Sequence, residues 1–138
     1  MTTYLDSSVA LRIVLGAPGS LPSFRRLDHV IASALMEVEC LRTLDRLRLV
    51  ERIAPEEIAR RREVVYALVN HIDVVALTPA VLFRASQPLP VALKTLDALH
   101  LATAMLWRET EGQEIDVATH DEALAMAARS VGFTVIGS

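Results

Sequence analysis

The sequence predicts an α/β fold, a three-layer α/β/α sandwich around a mainly parallel sheet with right-handed crossovers. Three observations carry that expectation. Short apolar segments alternate with helical stretches along all 138 residues. The apolar share, 52%, sits in Leu, Val and Ala while aromatics supply only 4%, which suits buried parallel strands under helices. Gly and Pro punctuate the segment ends.

Residues 2–5 read as the first strand, followed by a helix over 7–15 that Asp6 or Ser7 can cap and that Gly16 and Pro18 close. A second strand is expected at 29–33 and a long helix at 34–49. Pro55 with Glu56 and Glu57 starts the next helix, proline early and acids in the positive first turn, running to His71. A strand at 73–77 and a short helix at 79–86 lead into Gln87-Pro88-Leu89-Pro90, where two prolines forbid helix. Leu96, Leu99, Ala102, Thr103 and Leu106 share helical spacing, placing a helix at 96–109 that Thr95 can cap. Strands at 114–119 and 133–136 then flank a final helix, where Thr119 and Glu122 fit a capping box with Asp121 in the first turn. No repeat, low-complexity tract or linker interrupts the chain, so residues 1–138 are expected to form a single domain.

A chain of this length can bury roughly 70% of its unfolded surface, enough for a proper core. No window approaches the roughly 20 apolar residues of a membrane span, and the amino terminus carries Asp6 but no basic region, so neither a span nor a signal peptide is expected and the protein should be cytoplasmic. The one cysteine, Cys40, excludes an internal disulfide and a Cys-rich zinc site, and should pack as a small apolar group. A formal charge of −3 argues against nucleic-acid binding by bulk basicity. The clusters Arg25–Arg26, Arg42–Arg46–Arg48 and Arg60–Arg62 read first as solvated helix faces and second as a phosphate-contacting rim.

Four acids stand out by position. Asp6, Glu39, Asp97 and Asp121 each fall at an expected strand end or first helical turn. Singly, each is explained by capping or by the helix dipole. Jointly they point elsewhere, because an α/β sheet gathers its strand carboxyl ends along one edge and like charges crowded there need an offsetting cation. Oxygen donors without a Cys partner or a His pair favour Mg²⁺ or Mn²⁺ over Zn²⁺. The implied chemistry is phosphoryl transfer.

YLDSSVAL at the amino terminus, SALMEVE over 33–39, LDALHLATA in the Asp97 helix and ATHDEALAMAARSVGF near the end together resemble the PIN-domain ribonucleases. Among these the chain is most similar to the compact VapC-type toxins of toxin–antitoxin modules, over residues 3–136, and LDALHLATA is the most specific piece. The resemblance implies a PIN-like sandwich, with metal-binding acids at Asp6, Glu39, Asp97 and Asp121 and pocket hydroxyls at Ser7 and Thr119. It also implies an Mg²⁺- or Mn²⁺-dependent endoribonuclease that hydrolyses RNA with a metal-activated water. A cognate VapB-like antitoxin would neutralise it, and the protein would be a homodimer. By the same analogy the helix containing Arg60–Arg62 and the one around 81–85 would clamp the antitoxin.

Glu37 competes with Glu39, since two residues are about 200° of helical rotation and both cannot face one crevice; the family spacing from Ser33 favours Glu39. His100, three residues after Asp97, reads as a packed, hydrogen-bonded histidine before a catalytic one. His120 reads as an exposed neighbour of a cap, with substrate phosphate as its functional alternative. Lys94 can balance the acids or hold a phosphate, Asp116 lies in a strand, and Trp107 should pack or meet a second copy. Two other functions fit parts of the pattern: a PIN fold kept for partner binding with weak catalysis, and a receiver-like signalling domain. The second lacks a paired acid after the first strand and a Lys after the last.

Overall fold

The computed structural model describes residues 1–137. Strands are β1 (Thr2–Leu5), β2 (His29–Ser33), β3 (Asp73–Val75), β4 (Ile115–Ala118) and β5 (Thr134–Ile136). Helices are α1 (Ser7–Val14), α2 (Ser20–Arg25), α3 (Leu35–Val50), α4 (Pro55–His71), α5 (Pro79–Ala85), α6 (Thr95–Glu111) and α7 (Glu122–Ser130). The five strands form one sheet in the order β3-β2-β1-β4-β5, and every pairing is parallel. That order is incompatible with a receiver-like domain, whose sheet runs 2-1-3-4-5. Here β2 and β3 build outward on one side of β1, and β4 and β5 on the other. The direction of winding reverses between β1 and β4, where open α/β sheets leave a crevice.

The sheet separates two apolar layers because alternate strand residues face opposite ways. Leu5, Ala32 and Ala118 pack with Val14, Met36, Cys40, Leu44, Val65 and Leu68 of α1, α3 and α4. Tyr4, Ile31 and Val117 pack on the other face with Leu101, Ala104, Leu124 and Ala128 of α6 and α7. Arg61 of α4 ties the first layer together by donating to the Val14 carbonyl (2.9 Å) and to Glu57 (2.7 Å).

α4 begins at Pro55, where a missing N–H costs nothing, and α6 ends at Gly112, whose φ of 64° suits the left-handed turn after a helix. α2 does not follow from sequence pattern: SLPSFR contains a proline and buries no residue fully, with Phe24 alone packing partly against the core. It exists because Pro22 occupies the first turn, whose N–H groups lack helical partners, and because Gly19 takes φ 77° ahead of it. β3 stops at Val75, short of the expected Leu77, because Val75 pairs with Ser33, the last residue of β2.

Trp107 packs against the α6 layer and lies 6.2 Å from the His29 ring. Four of the eight clustered arginines hold local ion pairs on helix faces: Arg42 and Arg48 with Asp45, Arg60 and Arg61 with Glu57. Among the described residues no helix is long and apolar enough to cross a membrane.

Cys40 is wholly buried, and burial first, then the charges of Glu39 and Asp6, push its thiol up to about 12. The native protein should therefore resist an aromatic disulfide reagent at pH 8 and react stoichiometrically in denaturant. Rapid labelling of the folded protein would contradict this placement.

Candidate active site

β1 ends where the winding direction reverses, and the next residue is Asp6. Its backbone N–H donates to Ala118 at the end of β4 (3.0 Å), and its extended φ and ψ make it the N-cap of α1. The side chain is only 4% exposed with its residue. Oδ2 takes all of its hydrogen bonds: from the Ser8 N–H (3.4 Å), the Ser8 hydroxyl (2.7 Å) and the Thr119 hydroxyl (2.8 Å). Oδ1 has His100 Nε2 at 3.7 Å and accepts no hydrogen bond.

Glu39 comes from α3, in the same layer as α1. It is the fifth residue of that helix, which starts at Leu35, and so lies in the second turn and not the first. Ser7 donates to Oε1 (2.9 Å), and His100 Nε2 donates to the same oxygen (2.6 Å). Among the described residues Glu37 makes no hydrogen bond or ion pair, and rotation of α3 brings Glu39 to Ser7 and His100. Burial alone would raise the Glu39 carboxyl, but the hydrogen bond and charge of His100, with the Ser7 hydroxyl, leave it below its ordinary value.

His100 is 1% exposed and is the packed, hydrogen-bonded residue its position on α6 implies. It is packed inside the acidic site, between Glu39, Ser7 and the Tyr4 hydroxyl, whose oxygen lies 2.6 Å from Nδ1. Burial opposes its charge, yet Glu39, Asp6 and Asp97 outweigh that and raise its pKa. The Tyr4 phenol goes far above its usual range through burial and then the negative charges of Asp6 and Glu39. It therefore remains protonated.

Asp97 occupies the first turn of α6, half-buried and without a hydrogen bond. Desolvation, then the charges of Asp121 and Asp6, raise its carboxyl above the normal value. The cap of its helix is Lys94 rather than Thr95, because α6 starts one residue earlier than expected, and no side chain caps that end. Lys94 is exposed and unpaired. The capping box at Thr119 and Glu122 does not form. Asp121 is itself the N-cap of α7, its Oδ1 accepting from Leu124 N–H (2.8 Å). The Thr119 hydroxyl is already used, donating to Asp6 and accepting from Asp121 N–H (3.0 Å). His120 is half-exposed; its N–H donates to Ser8 (2.9 Å) and its ring bonds the Gly137 carbonyl. Asp116 sits near the start of β4, away from the carboxyl edge.

The structure thus brings Asp6, Glu39, Asp97 and Asp121 together with Ser7 and Thr119, and adds Tyr4, Ser8 and His100, for which position in the sequence offers little warning. The anchored acids share a pattern. Asp6, Glu39 and Asp121 each commit one oxygen to protein donors, while Asp6 Oδ1, Glu39 Oε2 and Asp121 Oδ2 accept none. Among the described residues no three His, Cys, Asp or Glu side chains already form a closed ligand cage. The donor set nonetheless fits a hard, partly hydrated divalent cation, which needs few carboxylates and retains water. A groove of about 550 Å³ along α3, lined by Leu35, Val38, Arg42, Leu49 and Leu96, reaches the site at Glu39. A cavity of about 420 Å³ opens beside His120, against Arg12 and Phe24.

A parallel α/β sandwich with four carboxylates where its winding reverses is the arrangement of a PIN domain. The PIN domain family profile matches residues 3–130. Ribonuclease VapC46 from Mycobacterium tuberculosis is 32% identical over 136 residues, covering 96% of this chain and 95% of that protein. The chain belongs to the PIN-domain family and, within it, to the VapC type. A solved toxin–antitoxin complex from Klebsiella pneumoniae contains a chain with the same fold, at TM-score 0.68 and 13% identity over 97% of this chain and 95% of the other.

Proposed function

We propose that this protein is a single PIN domain acting as a metal-dependent endoribonuclease toxin. The observation that carries the reading is the set of anchored carboxylates, each with one oxygen held by protein donors and the other accepting no hydrogen bond among the described residues. Such a set crowds negative charge that only a cation or a proton offsets, and the raised Asp97 carboxyl reflects that strain. Asp6, Glu39, Asp97 and Asp121 would hold Mg²⁺ or Mn²⁺. When bound, the ion supplies Lewis acidity that makes a water nucleophilic toward the phosphodiester and offsets charge on the departing oxygen.

The chain's own part is rigidity and placement. Ser8 and Thr119 fix Asp6, the start of α7 fixes Asp121, and Lys94 and His120 lie near the crevice where they can meet RNA phosphates. Water attack on phosphorus breaks the bond to the 3′ oxygen and leaves 5′-phosphate and 3′-hydroxyl ends. Single-stranded or looped RNA is the expected substrate, since its phosphates and bases can be drawn into a narrow cleft.

The partner is a VapB-like antitoxin, a reading supported by the VapC-type relative and by exposed apolar side chains beside the site. Val38, Leu49 and Val50 on α3 are more than half exposed, and Leu82 and Phe83 project from α5. Val81, by contrast, is buried and unavailable to a partner. The same exposed face of α3 suits a homodimer.

End-labelled RNA incubated with purified protein should be cut in Mg²⁺ or Mn²⁺ and left intact in EDTA, and Asp6→Asn should lower the rate on the order of 100-fold or more. Equal cleavage in EDTA would remove the metal from the reaction. No cleavage of any RNA in either condition, with antitoxin binding retained, would favour the partner-binding PIN fold.

A further inference from the structure

His100 has no part in that account, yet with Tyr4 it is one of the two most buried ionisable side chains of the site, and it touches Glu39 and Ser7. Glu39 is a carboxylate and can only accept, so the hydrogen shared over 2.6 Å belongs to His100 Nε2 whatever the charge of the ring. The other ring nitrogen is held by the Tyr4 hydroxyl at 2.6 Å, from the central strand β1. Tyr4 is 1% exposed and cannot shift without disturbing the core between β1 and α6. A line of three side chains therefore runs from the middle of the sheet to Glu39 on α3, the one site acid that neither caps a helix nor stands in a first turn. The line ends on Oε1, which Ser7 also occupies, and Oε2 remains without a protein partner.

We propose that His100 is a positioning residue: braced by Tyr4, it holds Glu39 by Oε1 so that Oε2 is presented to the divalent cation of the acidic site. The assignment rests on the metal-dependent reading of that site. Without the brace Glu39 keeps only the Ser7 hydroxyl as a partner, and more of its ordering falls to cation binding. Partners of this kind, one step behind a ligand, typically change metal affinity by about 10- to 100-fold.

The test is Mn²⁺ affinity of the metal-free protein, read from the electron paramagnetic resonance signal of free Mn²⁺, so that no turnover is needed. His100→Leu should weaken binding about 10- to 100-fold. His100→Gln, whose amide N–H can still donate to Glu39, should recover much of the loss, and Tyr4→Phe should show a smaller loss. In a Glu39→Gln background, His100→Leu should add nothing, because the pair acts as one unit. Circular dichroism reports which variants fold; if His100→Leu does not, His100→Gln and Tyr4→Phe each compared with and without Glu39→Gln carry the measurement.

Wild-type Mn²⁺ affinity in His100→Leu, or in the folded substitutes, would overturn the inference. So would losses that simply add to that of Glu39→Gln, which would mark His100 as packing alone. Asp6→Asn separates this failure from that of the underlying reading. If Asp6→Asn binds Mn²⁺ as tightly as wild type, the metal site itself is wrong; if it loses Mn²⁺ while the His100 and Tyr4 variants retain it, only the positioning role falls.

Discussion

Asp97→Asn is expected to abolish RNA cleavage while making the metal-free protein more stable. The two effects have one cause. Desolvation and the charges of Asp121 and Asp6 raise the Asp97 pKa above its unfolded value of about 3.9. A carboxylate with a raised folded pKa costs nothing below the unfolded pKa, and its ionisation opposes folding increasingly as pH rises through the folded value. Above the folded value the cost is fully present, and asparagine removes it. A cation offsets the same cost in the wild type: at 100 times its dissociation constant, Mg²⁺ adds about 2.7 kcal/mol, or roughly 10 °C for a domain of this size. Asp97→Asn should lose most of that metal-induced rise, and its cleavage rate should fall on the order of 100-fold or more. Thermal melts with EDTA and with Mg²⁺, beside a cleavage assay, measure all three. A variant that cuts at the wild-type rate in Mg²⁺, or melts below wild type in EDTA, would rule the assignment out.

The Glu39 and His100 pair should stabilise the metal-free protein most in mildly acidic solution. Glu39 is lowered and His100 raised, so their signs differ. The Glu39 contribution is present above its unfolded pKa of about 4.3 and is lost as pH falls through the lower folded value. The His100 contribution is present below about 6.5 and is lost as pH rises through the higher folded value. Both are complete only between those two unfolded values. A double-mutant cycle of Glu39→Gln and His100→Leu, followed by denaturant unfolding in EDTA from pH 4 to pH 9, should show a coupling of about 2 kcal/mol in that window. It should shrink on either side. A coupling independent of pH would mean that the pair carries no charge-assisted bond.

Much of the architecture was legible because its period is strong. The β1 and β2 segments are short and apolar, and α4 and α6 have a clear start or a repeating apolar face, so their limits differ from expectation by no more than two residues. α2 escaped because a six-residue helix around a proline has no period to detect. Asp6, Asp97 and Asp121 were legible as a set because helix starts are written locally. The same locality misassigned two caps. Thr119 precedes Glu122 at capping-box spacing, but its hydroxyl had a stronger claimant in Asp6, 113 residues away. Lys94 and Thr95 differ by one residue in where α6 begins, a margin that pattern alone does not resolve. Tyr4 and Ser8 were silent for the same reason as the position of His100 inside the site: their partners lie on other elements. The choice between Glu39 and Glu37 needed the rotation of α3 against the sheet, which only packing sets.

The separations that hid these contacts also govern when the site can come into being. Asp6 waits for Thr119, Tyr4 for His100, and Ser7 for Glu39, across 113, 96 and 32 residues. Closing such long loops is slow, and a chain emerging from the ribosome can complete none of the first two until α6 and then β4 have followed. During synthesis the acids exist but their supports do not. Under the proposed function, the acidic site would stay incomplete through most of the chain's translation, until its last third has folded.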